Sequence, residues 1–432
     1  MGGWLKSNDP RALSRIEEIL KTMEQDYEDG NDAARPDRIT INTITAAYAK
    51  NGSNGGDIEK SMKLRQNMKR KFHIKSDAIS HNIVVDSWCK SGRSDSPERV
   101  MELLNTMEDD FKRNGKTDHK PDGYTYSSVI GCYIKFSRKD APQKAEELLE
   151  RMKDLHADWG GEPVSTSVYN AVINAWASCS GSKQKEGQEE ALERVKELLK
   201  EMENNDESDP SIPAPNRISY NTVIKAMREG TAEDATYAEE ILNVLEEKGQ
   251  TKPYLLPDSY SYTSVITAYG RSDAPNKASK ALEILERMLL ASQNGNIAAK
   301  PTVHSFNAAL NACAFVEGDG EQKAKAFEIA LKIYDLLKIH DEPDQTSYGT
   351  LIRACSGLLH SKDTKREGMV EELFQKACEN GSVGRLVITQ MKFAASPSQH
   401  IRLTGRDILE KVHINELPRA WTQNVRETSR RS

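Results

Sequence analysis

Asparagine recurs at one place in a repeated turn. Eight segments share a Pro-Asp-like turn, two residues, a Ser or Thr, an aromatic and then usually Asn. They begin PDRITIN at Pro36, SDAISHN at Ser76, PDGYTYS at Pro121, STSVYN at Ser165, PNRISYN at Pro215, PDSYSYT at Pro257, PTVHSFN at Pro301 and PDQTSYG at Pro343. The last position holds Asn42, Asn82, Ser127, Asn170, Asn221, Thr263, Asn307 and Gly349. An amide both donates and accepts, so such a row can recognise polar edges. The competing reading is that each Asn merely bonds backbone at a helix start. Catalytic patterns are missing: there is no HxE with CxxC, no Walker A loop and no HExxH. HINE at His413–Glu416 stands alone, and the plentiful acids lie in polar stretches. The six cysteines are scattered without CxxC spacing, so neither a metal site nor a disulfide framework is expected. The expectation is a non-enzyme without cofactor or metal.

The elements that position this row follow from its spacing. Successive members lie 40 to 51 residues apart, the signature of stacked supersecondary units. Each unit reads as two helices. Proline presets the turn, and a neighbouring Asp, Ser or Thr caps helix A. Helix A then carries apolar residues at i, i+3, i+4 and i+7, as in Tyr220, Val223, Ile224 and Met227. Breaks follow at Asn51–Gly52 and Ser91–Gly92. Helix B ends near a methionine: Met68, Met107, Met152, Met202 and Met288. That spacing is core packing rather than a cofactor box. The chain therefore divides into residues 1–37 (a lone helix B from Ala12 to Met23, as a partial repeat or cap), residues 38–381 (eight helix pairs) and residues 382–432 (a helical cap and basic tail).

Composition agrees with an elongated stack. Of 432 residues only 37% are apolar and 29% are charged. A helix-pair stack needs fewer apolar residues than a sphere because each unit buries only its neighbour-facing sides. No run reaches the roughly 18 apolar residues of a membrane span. Residues 1–37 hold nine acids against five bases, unlike a signal or transit peptide. A cytosolic chain, or one whose targeting segment lies upstream, is expected. The net charge of −6 argues mildly against a nucleic-acid ligand. Residues 385–432, however, carry nine Lys/Arg against four Asp/Glu and end in Arg426, Arg430 and Arg431. That segment is either a cap or an arm that touches RNA.

The run Pro-Asp-x-x-Ser/Thr-Tyr-Asn, an apolar helix and a second helix ending in Met resembles the pentatricopeptide repeat (PPR). The resemblance covers residues 38–381 and recurs in register. Tetratricopeptide repeats have similar helix pairs but lack the Tyr-Asn start. The family's unit is roughly 35 residues. The surplus here lies in polar stretches such as Ser180–Glu190 and Glu203–Pro215, where insertions cost little. The resemblance implies an all-α, right-handed α-solenoid of helix-turn-helix repeats. It implies single-stranded RNA as partner, one base per repeat. It also implies organellar RNA processing, stability or translation, in a mitochondrion or plastid, alongside RNA-processing proteins. Oligomeric state is left open.

Carried over residue by residue, the resemblance makes the Asn position and the residue ending the repeat the base readers. The pairs are Asn42 with Asp77, Asn82 with Asp122, Ser127 with Ser165, and Asn170 with Asn216. Then come Asn221 with Asp258, Thr263 with Thr302, and Asn307 with Asp344. Gly349 has no side chain, so the eighth repeat is expected to be silent. The family's preferences give U-U-purine-C-U-purine-U. Changing Asn216→Asp should move the fourth base from C toward U. The residue three before the Asn position presses on the base: Ile39, Ile79, Tyr124, Ser167, Ile218, Tyr260, His304 and Thr346. Six of these are apolar or ringed, suited to sandwiching bases. Packing between repeats is the alternative. The residue eight after the Asn position is Lys50, Lys90, Lys135 or Arg271 in four repeats, and Lys225 and Arg353 lie four after it. The resemblance suggests phosphate contact, while cations at solvated helix ends are the other reading. The competing function is an α-solenoid scaffold for protein peptides, which varied apolar pockets would favour.

Overall fold

The computed structural model describes residues 1–425 except 8, 10, 52–55, 75–76, 115–119, 137–138, 180–184, 205–211, 361–362 and 410–413. Gly52, half of the two polar insertions, His413 and the arginines at 426, 430 and 431 lie outside them. Among the described residues the secondary structure is helical, without strands. The chain forms two compact bodies, Met1–Pro215 and Asn216–Ser432.

The first body opens with α1 (Gly2–Lys6) and α2 (Ala12–Glu28). Four helix pairs follow, each an A then a B helix. They are α3 (Arg38–Asn51) with α4 (Gly56–Phe72), and α5 (Ala78–Lys90) with α6 (Ser96–Asn114). The next are α7 (Gly123–Lys135) with α8 (Ala141–Trp159), and α9 (Thr166–Cys179) with α10 (Lys185–Glu203). The second body continues with α11 (Arg217–Ala226) and α12 (Ala232–Thr251), then α13 (Ser259–Arg271) and α14 (Lys277–Gln293). After them come α15 (Val303–Ala314) and α16 (Gly320–His340), then α17 (Gln345–Leu358) and α18 (Thr364–Glu379). It closes with α19 (Arg385–Ala394), α20 (Pro397–Thr404) and α21 (Arg419–Thr422).

The recurring turn is a helix start with a reciprocal cap. The side chains of Asp122, Asn216, Asp258 and Asp344 accept the backbone N–H of Thr125, Ser219, Ser261 and Ser347, three residues on. Those Ser/Thr hydroxyls accept the cap residue's own N–H in return. Asp37 and Asp77 accept in the same way from Thr40 and Ser80. Each cap contributes about 1 kcal/mol by satisfying donors a helix start leaves open. The aromatic one residue further on points into the core. Tyr126, Tyr169, Tyr220, Tyr262, Phe306 and Tyr348 are almost fully buried. A buried phenol needs a partner. Tyr126 and Tyr262 donate to Glu108 and Glu246 of the preceding B helix, and Tyr169 to Glu201 of its own.

The methionines at the B helices are core as well. Met68, Met107, Met152, Met202 and Met288 are all buried. Four of the five helices continue at least four residues past that methionine, because the apolar stripe outlasts it, and α10 stops one residue after it. In the other direction α11 is shorter than its stripe. It ends at Ala226, and Met227 begins a 3-10 turn. At the end of α5, Gly92 takes φ +73°, a backbone form that favours glycine. Helix α2 runs beyond Met23 to Glu28, and α1 adds Trp4 and Leu5 to the first core around Ile16, Leu20, Ile44 and Phe72.

Successive A helices pack directly on one another within each body: α3, α5, α7 and α9, then α11, α13, α15, α17 and α19. Successive B helices approach less closely, α14 and α16 excepted, and meet through side-chain ion pairs such as Arg151–Glu108 and Arg287–Glu246. The A row is therefore the tighter, inner row of each body. Helix α19 follows α17 as one A helix follows another. Its approach is close enough that a Cβ on Gly349 would lie 2.5 Å from Leu386 Cγ. The closing segment packs back on α18, with Trp421 edge-on to Phe374 and Leu417 buried.

Candidate nucleic-acid interface

On a helix, residues two apart lie nearly opposite and residues three apart share a face. The second and fifth residues of each A helix therefore look the same way, while the fourth, the aromatic, looks into the core. The second-residue row is exposed throughout: Ile39, Ile79, Tyr124, Ser167, Ile218, Tyr260, His304 and Thr346. Ile39, Ile79 and Ile218 are 70%, 65% and 63% exposed, and Tyr124 and Tyr260 51% and 46%. Packing between repeats would have covered them. An exposed isoleucine forgoes about 2 kcal/mol of burial. Five large apolar side chains are thus left open at one structural position. Tyr124 is steered within this surface by its hydroxyl, which donates to Asp86 on the preceding A helix at 2.7 Å.

Leu386 holds the same second position on α19 and is also exposed. Sequence reasoning missed it, because Gly384 and Val387 stand where the turn signature has Asp and Ser. The helical spacing of Val387, Met391 and Ala394 was the only signal.

The fifth residue meets the cap of the following A helix. Asn82 Nδ2 donates to Asp122 Oδ1 at 3.3 Å, and Thr125 Oγ1 donates to Asn82 Oδ1 at 2.7 Å. Asn221 is held by Asp258 at 3.3 Å and Ser261 at 2.7 Å. Asn307 is held by Asp344 at 3.0 Å and Ser347 at 2.6 Å. All three asparagines are less than a tenth exposed. Each carboxylate spends Oδ1 on the cap and the amide, which leaves Oδ2 as its outward acceptor. In the second body Arg217 Nε lies 3.3 Å from Asp258 Oδ2, and in the first Arg38 lies 3.0 Å from Asp77 Oδ2. Burial works to raise the Asp77 pKa. The hydroxyl and N–H of Ser80 and the Arg38 charge outweigh it and hold the carboxyl below the usual range.

Other positions are built differently. Asn42 Oδ1 is buried without a hydrogen bond among the described residues, and Ser80 Oγ donates to Asp77 Oδ1 at 2.6 Å. Ser127 bonds its own helix through the Tyr124 carbonyl, and Ser165 pairs with Ser167. Thr263 shares a 2.8 Å hydroxyl contact with Ser305, and Thr302 caps α15. Asn170 and Asn216 fall in different bodies. The glycine at 349 is explained by the approach of Leu386.

The cations are less uniform than their spacing. Lys50 donates to the carbonyls of Leu5 and Ser7 at 3.0 and 2.7 Å, closing the end of α1. Lys135 donates to the Cys89 carbonyl near the end of α5. Both remain exposed. Lys90 is exposed and makes no hydrogen bond or ion pair among the described residues, while Arg271 and Lys225 are exposed. Arg353 stacks on Phe315, 3.9 Å from the ring centroid.

Cys132, Cys313 and Cys355 are buried, and burial pushes the last two thiols up to about 12. No helix of the described residues is long and apolar enough to cross a membrane.

No family model and no curated protein matches this chain. Among solved structures, it is similar to two crystal structures of the pentatricopeptide repeat protein PPR10 in complex with an 18-nt psaJ RNA element, one of them a cysteine-to-serine form. Each is 20% identical, with a TM-score of 0.39 over 92% of this chain and 47% of that one. The chain thus spans about half the length of those proteins. It is an all-α protein of stacked helix pairs, and the pairs are similar to pentatricopeptide repeats.

Proposed function

We propose that this protein binds single-stranded RNA along its row of A helices, one base per repeat. The observation that carries this reading is the exposed second-residue row beside the Asn–Asp junctions. Ile39, Ile79, Tyr124, Ile218, Tyr260 and His304 present flat or branched faces to bases, and Leu386 extends the series. Between them the paired side chains meet the base edge. In the second, fifth and seventh repeats, Asn Nδ2 offers a donor and Asp Oδ2 an acceptor. Uracil presents the complementary O4 and N3–H. The serine and threonine pairs of the third and sixth repeats lean to purine, and the eighth is silent. Lys90 is the cation best placed for phosphate, Arg271 joins it by its equivalent placement, and Lys50 and Lys135 are shared between phosphate and the carbonyls they hold. A part in organellar RNA processing, stability or translation rests on the family resemblance alone.

A triple Ile39→Ser, Ile79→Ser and Ile218→Ser variant tests the reading. Covering an exposed isoleucine with a base buries apolar area worth on the order of 1 kcal/mol, so affinity for a U-U-A-C-U-A-U RNA should fall about a hundredfold. Thermal stability should hold, because these side chains are exposed. Unchanged affinity, or a wild-type chain that binds no single-stranded RNA, would refute it and favour a peptide scaffold.

A further inference from the structure

The three closed junctions contain a group that the two-residue code leaves out. In each, a hydroxyl three residues into the next A helix sits on the asparagine oxygen: Thr125 on Asn82, Ser261 on Asn221 and Ser347 on Asn307. Proton logic fixes the whole ring. An ionised Asp only accepts, so the amide must turn its nitrogen to Asp122, Asp258 or Asp344. The amide oxygen then faces the hydroxyl at 2.7, 2.7 and 2.6 Å, nearer than the Asp Oδ1 that the same hydroxyl meets at 2.8, 2.9 and 3.1 Å, so its single proton goes to the amide oxygen. The hydroxyl's lone pair takes the N–H of the same Asp. One Nδ2 proton is left for the groove. With the amide reversed, its oxygen would face the Asp oxygen and its nitrogen the hydroxyl. A buried amide oxygen that loses its donor is costly, so the hydroxyl opposes any other orientation.

We propose that Thr125, Ser261 and Ser347 are positioning residues that set uracil over cytosine by holding the neighbouring asparagine amide in one orientation. This rests on the base-reading proposal above. A held amide shows the base a donor. Uracil O4 accepts it, whereas the cytosine N4 amino group is itself a donor and is refused. Discrimination then comes from the orientation of the amide as well as from its identity. The first repeat supplies a comparison without mutation. It has the same Asn and Asp, but Ser80 Oγ lies on Asp77 Oδ1 alone, and among the described residues Asn42 Oδ1 has no hydrogen bond. Its amide is not held, so its choice of U over C is weaker than that of the seventh repeat.

The test uses the full chain and RNAs that differ only by U or C at the seventh base, with a second pair differing at the fifth. Ser347→Ala should lower the U:C affinity ratio at the seventh base about three- to tenfold, the scale of one hydrogen bond. The ratio at the fifth base should stay fixed, and Ser347→Thr should keep both. A loss of packing or capping alone would weaken both RNAs of a pair equally. An unchanged seventh-base ratio in Ser347→Ala overturns the proposal while leaving base reading intact, provided that Asn307→Ala abolishes that ratio. If Asn307→Ala also leaves it unchanged, base reading fails and the proposal falls with it. Should Ser347→Ala not fold, Ser261→Ala with the fifth-base pair decides in the same way. A wild-type U:C ratio at the first base equal to that at the seventh also counts against it.

Discussion

At the scale of single residues, one carboxylate does two jobs. Asp344 Oδ1 caps α17 and holds the Asn307 amide, and Oδ2 is the acceptor left over. The capping use does not exclude base reading, because the two uses draw on different oxygens. Replacing Asp344→Asn separates them. Asparagine caps a helix as well as aspartate does, so Oδ1 keeps its work and thermal stability should barely move. The outward atom becomes a donor, which suits the N3 acceptor of cytosine and opposes the N3–H of uracil. Preference at the seventh base should move from U toward C by about 1 kcal/mol. Competition binding of two RNAs differing at that base measures it, and a lower melting temperature with an unchanged ratio would make Asp344 a cap only. The asparagine row itself was legible in the sequence because it repeats. The hydroxyl lock on it was not, since the contact joins residues 40 to 43 apart in chain order and its Ser/Thr already has a local reason to exist as a capping partner.

At the scale of elements, the caps link the repeats to pH. Asp37 and Asp77 start α3 and α5, and both carboxyls are held below their ordinary range. Burial opposes this in each, and the hydrogen bonds from Thr40 and Ser80 outweigh it. A depressed folded-state pKa gives stability that is complete above the unfolded carboxylate value and lost as pH falls through the folded one. The urea midpoint of the full chain should thus take no pH dependence from these two groups between pH 7 and about 5, and should fall below about pH 4. An Asp77→Asn variant keeps a capping oxygen that does not titrate, and its midpoint should decline less steeply on acidification. Equal slopes would show that Asp77 is not among the groups responsible. The helix starts were readable because Pro-Asp-x-x-Ser/Thr states a physical rule locally. The helix ends were less so. α8 runs past its methionine to Trp159, where a left-handed Gly160 closes it, whereas α11 stops short at Ala226 by tightening into a 3-10 turn that no residue of the repeat signature announces. α19 was hidden for the same reason. Its start has no capping carboxylate, and its place is set by the space above Gly349 that only a missing side chain provides.

At the scale of the whole molecule, the difficulty is charge. On the proposed function, a chain of net −6 has to hold a polyanion. The two exposed-row chemistries, stacking and edge reading, are insensitive to salt. Any salt dependence therefore comes from the few cations at the A-helix ends. Lys50, Lys90, Lys135 and Arg271 are equivalent in sequence but not in structure. Lys50 and Lys135 already neutralise helix-end carbonyls, whereas Lys90 has no such partner among the described residues. An ammonium bound to carbonyls keeps its charge but must share its protons, so its phosphate contact is weaker than that of Lys90. Changing Lys90→Gln should reduce the slope of log affinity against log salt by about 0.7, the single-strand increment for one phosphate contact. Changing Lys50→Gln or Lys135→Gln should lower the slope less and cost stability more, since each also unbinds a helix end. All three effects should be the same for every RNA sequence, because phosphates carry no base identity. Fluorescence anisotropy titrations over a salt series, paired with thermal melts, separate the terms. If a variant with Lys50, Lys90, Lys135 and Arg271 all changed to Gln keeps the wild-type slope, the row is a set of helix-end cations, and the RNA must be held by stacking and base edges alone.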